Sequence, residues 1–471
     1  MIYDVIGIGV GPFNLSLAAL TSNLSEVKTL FLDQRSGFDW HPGLMIEGVH
    51  LQTPFMSDLV TLADPTHPLS FLNYSKQKGR LYSFYIREDF FLLRQEYNAY
   101  CQWAVKQIPS IQWGKRVEVL RYVSQEAGLD SQSGHYEVTM VDVSTGKTET
   151  VCAKKVVLGT GPKPFIPESC RPLLEKNEPI LHSSDYLYQK AQLQSQRKIT
   201  VVGSGQSAAE IFYDLLSEID QYNYELNWIT SAPRFYPLEY TKLTLEMTSP
   251  EYVDYFHALP REKRDQLVAS QKNLYKGING SLIDEIFEIL YRKRLNADRV
   301  GQDLPVTILT NSKVVSVQEN KQKHDNHQRN PEVVLDCYHS EQEKDFSITT
   351  EGLVLATGFH YQEPAFLSPI KDRIRYDGKQ RFDVNRNYSI DKSGQTLFVQ
   401  NAELHTHGFV SPDLGMACYR NSILIKEITG VEHYPIEERI AFQHFGVPEQ
   451  TCGEKNENVL NASHVVCESI E

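Results

Sequence analysis

One pattern constrains this chain more than any other. An apolar, β-branched run followed at once by glycine occurs four times, and two of the four lead directly into a helical pattern. The runs are Val5-Ile6-Gly7-Ile8-Gly9, Val156-Val157-Leu158-Gly159-Thr160-Gly161, Thr200-Val201-Val202-Gly203-Ser204-Gly205 and Leu353-Val354-Leu355-Ala356-Thr357-Gly358. Such runs read as strands buried on both faces, as in a parallel sheet. Helices are expected at Asn14 to Leu20 and Ser207 to Leu216, after the first and third runs. The strand-turn-helix unit of a doubly wound sheet thus occurs twice, which predicts an α/β fold with two dinucleotide-binding (Rossmann-like) domains.

The first turn reads Gly7-Ile8-Gly9-Val10-Gly11-Pro12. Gly7 permits the tight turn, and Gly9 lets the backbone approach a pyrophosphate at the helix start. Pro12 stands where a third glycine is usual; a proline is comfortable there because its missing N–H would have had no intrahelical partner. Asp33 closes the next strand, Thr29 to Leu32, where a carboxylate would accept from ribose hydroxyls. The second turn, Gly203-Ser204-Gly205-Gln206-Ser207-Ala208, repeats the motif with alanine at its last position. Two cradles imply two dinucleotides. A flavin (FAD) and a nicotinamide make chemical sense together, since hydride passes from one ring to the other. Beyond the strand Leu226 to Thr230 no acid follows, and Ser231 and Arg234 are placed to hold a 2′-phosphate, which favours NADPH.

These landmarks divide the chain. Residues 1–165 and 345–445 are expected to form a discontinuous FAD-binding domain, and 190–235 with 300–345 an NAD(P)H-binding domain. Residues 236–300, where Tyr, Phe, Leu and Ile recur at helical spacing, are expected as a smaller, mostly helical substrate region. Gln318 to Pro331 reads as an exposed hairpin loop and 449–471 as a mobile tail.

Composition narrows the function classes. A net charge of −13 argues against a nucleic-acid partner, which would need clustered Lys and Arg. No apolar stretch is long enough for a membrane span. The chain starts on a strand without a basic leader, and its seven cysteines are scattered without a C-x-x-C pair. A cytoplasmic protein with reduced thiols is expected, with neither a disulfide framework nor a zinc site. His405 and His407 alternate as metal ligands can, yet no third ligand is near, and a structural loop is the expected role.

Further motifs carry a resemblance. Gly7 to Ser16, Trp40-His41-Pro42-Gly43, Leu51-Gln52-Thr53, Gly203 to Ser207, Ala356-Thr357-Gly358-Phe359 and Thr406-His407-Gly408 occur in an order that resembles the microbial N-hydroxylating flavin monooxygenases. These act on lysine, ornithine or diamines in hydroxamate siderophore biosynthesis, and the likeness runs from residue 1 to about 430. It implies that NADPH reduces FAD, that NADP+ is retained, and that O2 forms a C4a-hydroperoxyflavin whose distal oxygen is attacked by a neutral amine. It implies FAD contacts at Trp40, His41, Thr357, Gly358, His407 and Gly408, and places Gln52 beside the flavin ring as a candidate catalytic residue. A homo-oligomer, dimer or tetramer, is the expected assembly.

Departures from the resemblance bear on the substrate. The lysine and ornithine enzymes carry a Lys for the amino-acid carboxylate where this chain has Ser57. The Asn of the ornithine enzymes that precedes the counterpart of Glu246 is Leu245 here, and a pocket serine is matched by Gly415. A further family Asn falls near Asn273 and Leu274. A buried carboxylate without a cation costs several kcal/mol, so an amine lacking that carboxylate, putrescine or cadaverine, becomes the expected small-molecule substrate. The chain is thus most like the diamine (putrescine) N-monooxygenases. The alternatives are L-lysine, L-ornithine or histamine as substrate and, in another class, a flavin/NADPH reductase or a non-catalytic flavoprotein. The missing C-x-x-C removes the disulfide reductase version.

Overall fold

A computed structural model describes residues 2–124, 134–174, 180–320, 332–437 and 439–447. The expected tail at 449–471 and residues 321–331 of the expected loop lie outside the described residues. Six strands of the first sheet run in the spatial order Ile111–Gln112, Thr29–Leu32, Ile2–Ile8, Thr148–Leu158, His135–Asp142 and Lys115–Val123, and a seventh, Leu397–Val399, pairs with Thr148–Leu158. One long strand serves both halves of this sheet. Val156–Leu158 pairs in parallel with Ile6–Ile8 and with Leu397–Val399, while Thr148–Ala153 pairs antiparallel with Tyr136–Val141.

The second sheet is wholly parallel, in the order Ile180–His182, Gly352–Leu355, Lys198–Val202, Glu225–Ile229 and Val306–Leu309. A three-stranded antiparallel layer, Ser312–Glu319, Val333–His339 and Lys344–Thr350, lies in sequence between its strands Val306–Leu309 and Gly352–Leu355 and joins a common core through Val317, Leu335 and Leu355. All four glycine-ended runs are strands, two in each sheet.

Two expected boundaries move. Leu353–Leu355, expected in the first unit, lies in the second sheet, where Val354 is in register with Val201. A β-branched run signals burial in a parallel sheet without saying which sheet; pairing partners decide that. The strand that does return to the first sheet is Leu397–Val399, three residues long and too short to carry a period. The expected helical region at 236–300 also divides. Pro250–Ala258 packs through Tyr252, Val253 and Phe256 on Phe409 and Val410. The helix Gly280–Arg299 instead turns Ile286 and Ile289 into the second sheet's core with Phe212 and Leu216.

The chain crosses between the two folds twice, and the crossings pair with each other: Phe359 and His360 lie antiparallel to Pro164 and Lys163. Leu44 and Ile46, which lie in sequence within the first unit, are buried in the core cluster of the second. That shared apolar contact opposes the independent domain motion expected of a small polar interface.

Candidate functional site

The C-terminal ends of both sets of parallel strands open onto one cavity of about 2160 Å³, against about 300–1000 Å³ for an ordinary ligand pocket. Its size suits more than one ligand. Strand ends at such a crevice are where doubly wound sheets bind nucleotides.

At the first loop, Gly9 has φ +87°, and a Cβ there would lie 2.5 Å from the Gly159 carbonyl oxygen. The position therefore requires glycine both for its backbone angle and for its approach to the neighbouring strand. Gly7 fills a different need: a Cβ on it would strike the Phe31 ring, so it packs the strand rather than facing the cavity. Gly11 has no atom within 4 Å of where its Cβ would point, and Pro12 begins the helix Pro12–Thr21. The helix start thus presents free space and unpaired N–H groups, a fit for a pyrophosphate.

Asp33 lies at the end of its strand, nearly buried. Its Oδ2 accepts the Val10 N–H at 2.8 Å, and Arg35 donates to both of its oxygens. Burial alone would raise the Asp33 carboxyl; the Arg35 hydrogen bonds and charge, joined by the Val10 N–H, outweigh it and hold the group below the ordinary value. Asn14 also shapes this loop. It donates to the Gly9 carbonyl at 2.7 Å and accepts from Gln400 at 2.7 Å, so a polar residue in an apolar helix ties the loop to the last strand of the sheet.

The Trp40–Leu44 turn borders the same space. Asn98 accepts the Trp40 N–H, and the Trp40 ring meets Tyr97 edge-on at 5.3 Å. His41 is exposed on the cavity wall; desolvation by the protein packed around it, with the charges of Arg94 and Arg35 added, lowers its imidazole to about 4. It is neutral at pH 7. A Cβ on Gly43 would come 1.8 Å from the Ser184 carbonyl, so only glycine lets this turn press against the second unit.

At the second loop, Gly203 to Ala208 line the cavity, and Gly205 caps the helix Gln206–Tyr222. Ser231 is on the cavity wall. Arg234 is not among the lining residues; its guanidinium sits 4.8 Å over the Tyr236 ring on an exposed turn.

A polar chain joins the two loops. Gln52 Nε2 donates to the Gly277 carbonyl and to Asn279 Oδ1, both at 3.1 Å, and lies 3.4 Å from Gln206 Oε1. Gln206 in turn donates to Glu210 at 2.9 Å. Arg94, from the first unit, forms a two-pronged pair with Glu210 at 2.7 and 3.0 Å and also donates to the Leu44 carbonyl. Glu210 is fully buried and Arg94 nearly so. Nothing in the spacing of these residues announced the pair.

Of the residues that the resemblance assigns to substrate, Ser57, Leu245, Leu274 and Gly415 line the cavity, and Asn273 does not. Thr357 and Gly358 line it, where the chain leaves the second sheet. His407 and Gly408, expected at FAD, are turned away. His407 is buried, stacked on Tyr388 at 4.4 Å and bonded to the Arg386 carbonyl, so packing claims it. Burial first, then His257 and Arg386, push its imidazole well down. His405 is the one that reaches the cavity wall, bonded to the Phe382 carbonyl at 2.8 Å. Among the described residues no group of three or more His, Cys, Asp or Glu is arranged to hold a metal.

The matches to known proteins agree with this geometry. Residues 1–361 match the L-lysine 6-monooxygenase/L-ornithine 5-monooxygenase family. The chain belongs to that family. It is therefore a flavin-dependent N-hydroxylating monooxygenase that works with FAD, NADPH and O2, and the two cradles fit the two dinucleotides. It is 50% identical over 444 residues to a putrescine N-hydroxylase of Shewanella oneidensis, covering 94% of this chain and 84% of that one. A putrescine N-hydroxylase of Acinetobacter baumannii is 45% identical, with 94% of each chain covered. The FAD-bound crystal structure of DfoA, a cadaverine monooxygenase of desferrioxamine biosynthesis from Erwinia amylovora, superposes with a TM-score of 0.88 at 56% identity, covering 95% of this chain and 99% of that one. No helix among the described residues is long and apolar enough to cross a membrane.

Proposed function

We propose that this enzyme N-hydroxylates one end of an aliphatic diamine, putrescine or cadaverine, for hydroxamate siderophore assembly. One observation carries the reading: Ser57 stands on the cavity wall where the amino-acid hydroxylases that the chain resembles use a lysine. The diamine activities named for its relatives support it.

In this reading the unit around the first sheet holds FAD, through Gly9, Gly11 and the Pro12 helix start. The unit around the second holds NADPH, through Gly203 to Ser207 and Ser231. When bound, the flavin supplies the oxygen-activating chemistry. The protein's tasks are position, dryness and proton balance. Gln52 acts as a positioning residue, since its amide nitrogen is committed to the second unit. Leu245, Leu274, Leu414 and Met416 give the substrate end an apolar wall. A free alkylamine has a pKa of about 10.4, and such a wall favours the neutral, nucleophilic form by penalising charge. His41, neutral at pH 7, adds no competing cation.

We also place the enzyme in the cytoplasm, supported by five free cysteines among the described residues. A homo-oligomer is supported by Tyr82, Tyr85 and Ile86, all more than 70% exposed on a helix that buries none of its residues. Light scattering on the purified protein checks the assembly.

The deciding experiment is a mass assay of hydroxylamine product across putrescine, cadaverine, ornithine, lysine and histamine, with FAD-loaded enzyme and NADPH. Putrescine or cadaverine giving the highest kcat/KM supports the proposal. Lysine or ornithine in first place would overturn it.

A further inference from the structure

Across from Ser57 the cavity wall carries a carboxylate, Asp413, that none of the motifs singled out. It stands between Ser411, Pro412 and the short 3-10 turn Leu414–Met416, whose first free N–H it caps: Gly415 N–H donates to Asp413 Oδ1 at 2.8 Å. That cap uses one oxygen. Among the described residues, the other accepts no hydrogen bond, although the side chain is half-buried and lines the cavity.

The surroundings of Asp413 reverse the charge logic of an amino-acid site. The atoms nearest to where a Cβ on Gly415 would stand are Asp413 Oδ1 and Ser57 Oγ, each at 3.2 Å. Two of the three residues that depart from the amino-acid hydroxylases, Ser57 and Gly415, thus flank this one carboxylate, and glycine keeps the space beside it clear. Where a lysine would have met a substrate's anion, an oxygen-lined recess with a negative charge remains. Burial raises the Asp413 carboxyl, while the Gly415 N–H and the more distant Arg420 charge oppose the rise. Arg420 itself is engaged elsewhere, paired with the buried Glu403 at 2.9 Å.

We propose that Asp413 binds the second, non-reacting ammonium of the diamine, with Ser57 Oγ as an additional acceptor, and so selects diamines over monoamines. The proposal rests on the diamine reading above. A charge-assisted hydrogen bond from an ammonium to a half-buried carboxylate is among the stronger polar contacts, and an ammonium offers three donors for the two oxygens. Holding the far end also fixes how deep the reacting nitrogen sits, since the carbon chain between the two amines has a set length.

Asp413→Asn keeps the cap oxygen for the Gly415 N–H and removes the charge. Wild type and variant are assayed for hydroxylamine formation on putrescine, butylamine and lysine. The ratio of kcat/KM for putrescine over butylamine is expected to fall roughly tenfold to hundredfold in the variant, mostly through KM for putrescine. Ser57→Lys, which sets a cation opposite Asp413, is expected to lower the same ratio and serves if Asp413→Asn does not fold. An unchanged ratio in both variants overturns the role of Asp413 while leaving the diamine reading intact, as does an equal loss on putrescine and butylamine. Wild type favouring lysine over putrescine overturns the diamine reading, and this proposal falls with it.

Discussion

The two glycine loops share a motif but sit in different surroundings. The helix after the first loop, Pro12–Thr21, is buried at every residue but Phe13, enclosed between the sheet and the helices Arg94–Val105 and Ala417–Thr429. The helix after the second, Gln206–Tyr222, buries one face (Ile211, Phe212, Leu215, Leu216 and Ile219) and gives Tyr222 to solvent. Helices that are apolar all round are core helices, and amphipathic ones lie at a surface. The first cradle is walled in and braced by Asn14, Gln400 and Asp33. Its partner has no acid at the corresponding strand end. An enclosed cradle suits a resident cofactor, and an open one suits a dinucleotide that comes and goes as hydride donor.

The hardest way to break that contrast is Gly9→Ala. It forces a Cβ to 2.5 Å from the Gly159 carbonyl at a backbone angle of φ +87°, where neither neighbour is a side-chain end that can swing aside. The variant is expected to purify colourless or to fail to fold, and visible absorbance of the purified protein reads this directly. A yellow variant with full flavin occupancy would mean that the first cradle is as tolerant as an open loop.

The next largest effect concerns the link between the cradles. Arg94→Met strands Glu210 as a buried charge with, among the described residues, only Gln206 hydrogen-bonded to it, which is expected to cost about 3–5 kcal/mol. The loss falls on the contact between units, so a single calorimetric transition is expected to split in two. A single transition at the wild-type temperature would show that the Leu44 and Ile46 contact holds the units together without the ion pair.

Legibility in the sequence follows the same divide. Strands and helices of both cradles are readable because a β-branched run, two glycines and a helix are consecutive in the chain, so local chemistry specifies them. Leu353–Leu355 was readable as a strand but not as a member of the second sheet, because only its pairing with Lys198–Val202 assigns it. Arg94 with Glu210 is a tertiary pair with no local pattern. Asp413 has the look of an ordinary turn residue in Ser-Pro-Asp-Leu-Gly, and only the fold brings it to Ser57. His407 failed in the opposite sense: its motif is local, but Tyr388 and Arg386 take its ring out of the cavity.

The second cradle makes a smaller and sharper prediction. Ser231 faces the cavity, whereas Arg234 is stacked on Tyr236 outside it. Ser231→Ala is expected to raise KM for NADPH roughly twofold to tenfold, the worth of one hydrogen bond, with less change for NADH. Arg234→Ala is expected to leave the NADPH to NADH preference within about twofold, as for an exposed charge. A large loss of preference in Arg234→Ala would mean that the turn refolds around the nucleotide and that this cradle is completed by its ligand.

The smallest effect is a pH dependence that the first cradle has and the second lacks. The Asp33 carboxyl is held below its ordinary value, because the Arg35 contacts and the Val10 N–H outweigh the effect of burial. A group whose folded pKa is depressed contributes stability that is fully present above its unfolded value, about 3.9, and is lost as pH falls through the lower folded value. Flavin retention in wild type is therefore expected to be flat from neutral pH down to about that value and to weaken below it. Asp33→Asn keeps the shape but loses the charge, so its flavin dissociation should be faster at neutral pH and should lack the Asp33 share of the acid response. Stopped-flow release of flavin fluorescence from both proteins across that range separates the two curves. Parallel curves would mean that Asp33 serves the loop only through the Val10 N–H, with no electrostatic part in keeping the cofactor.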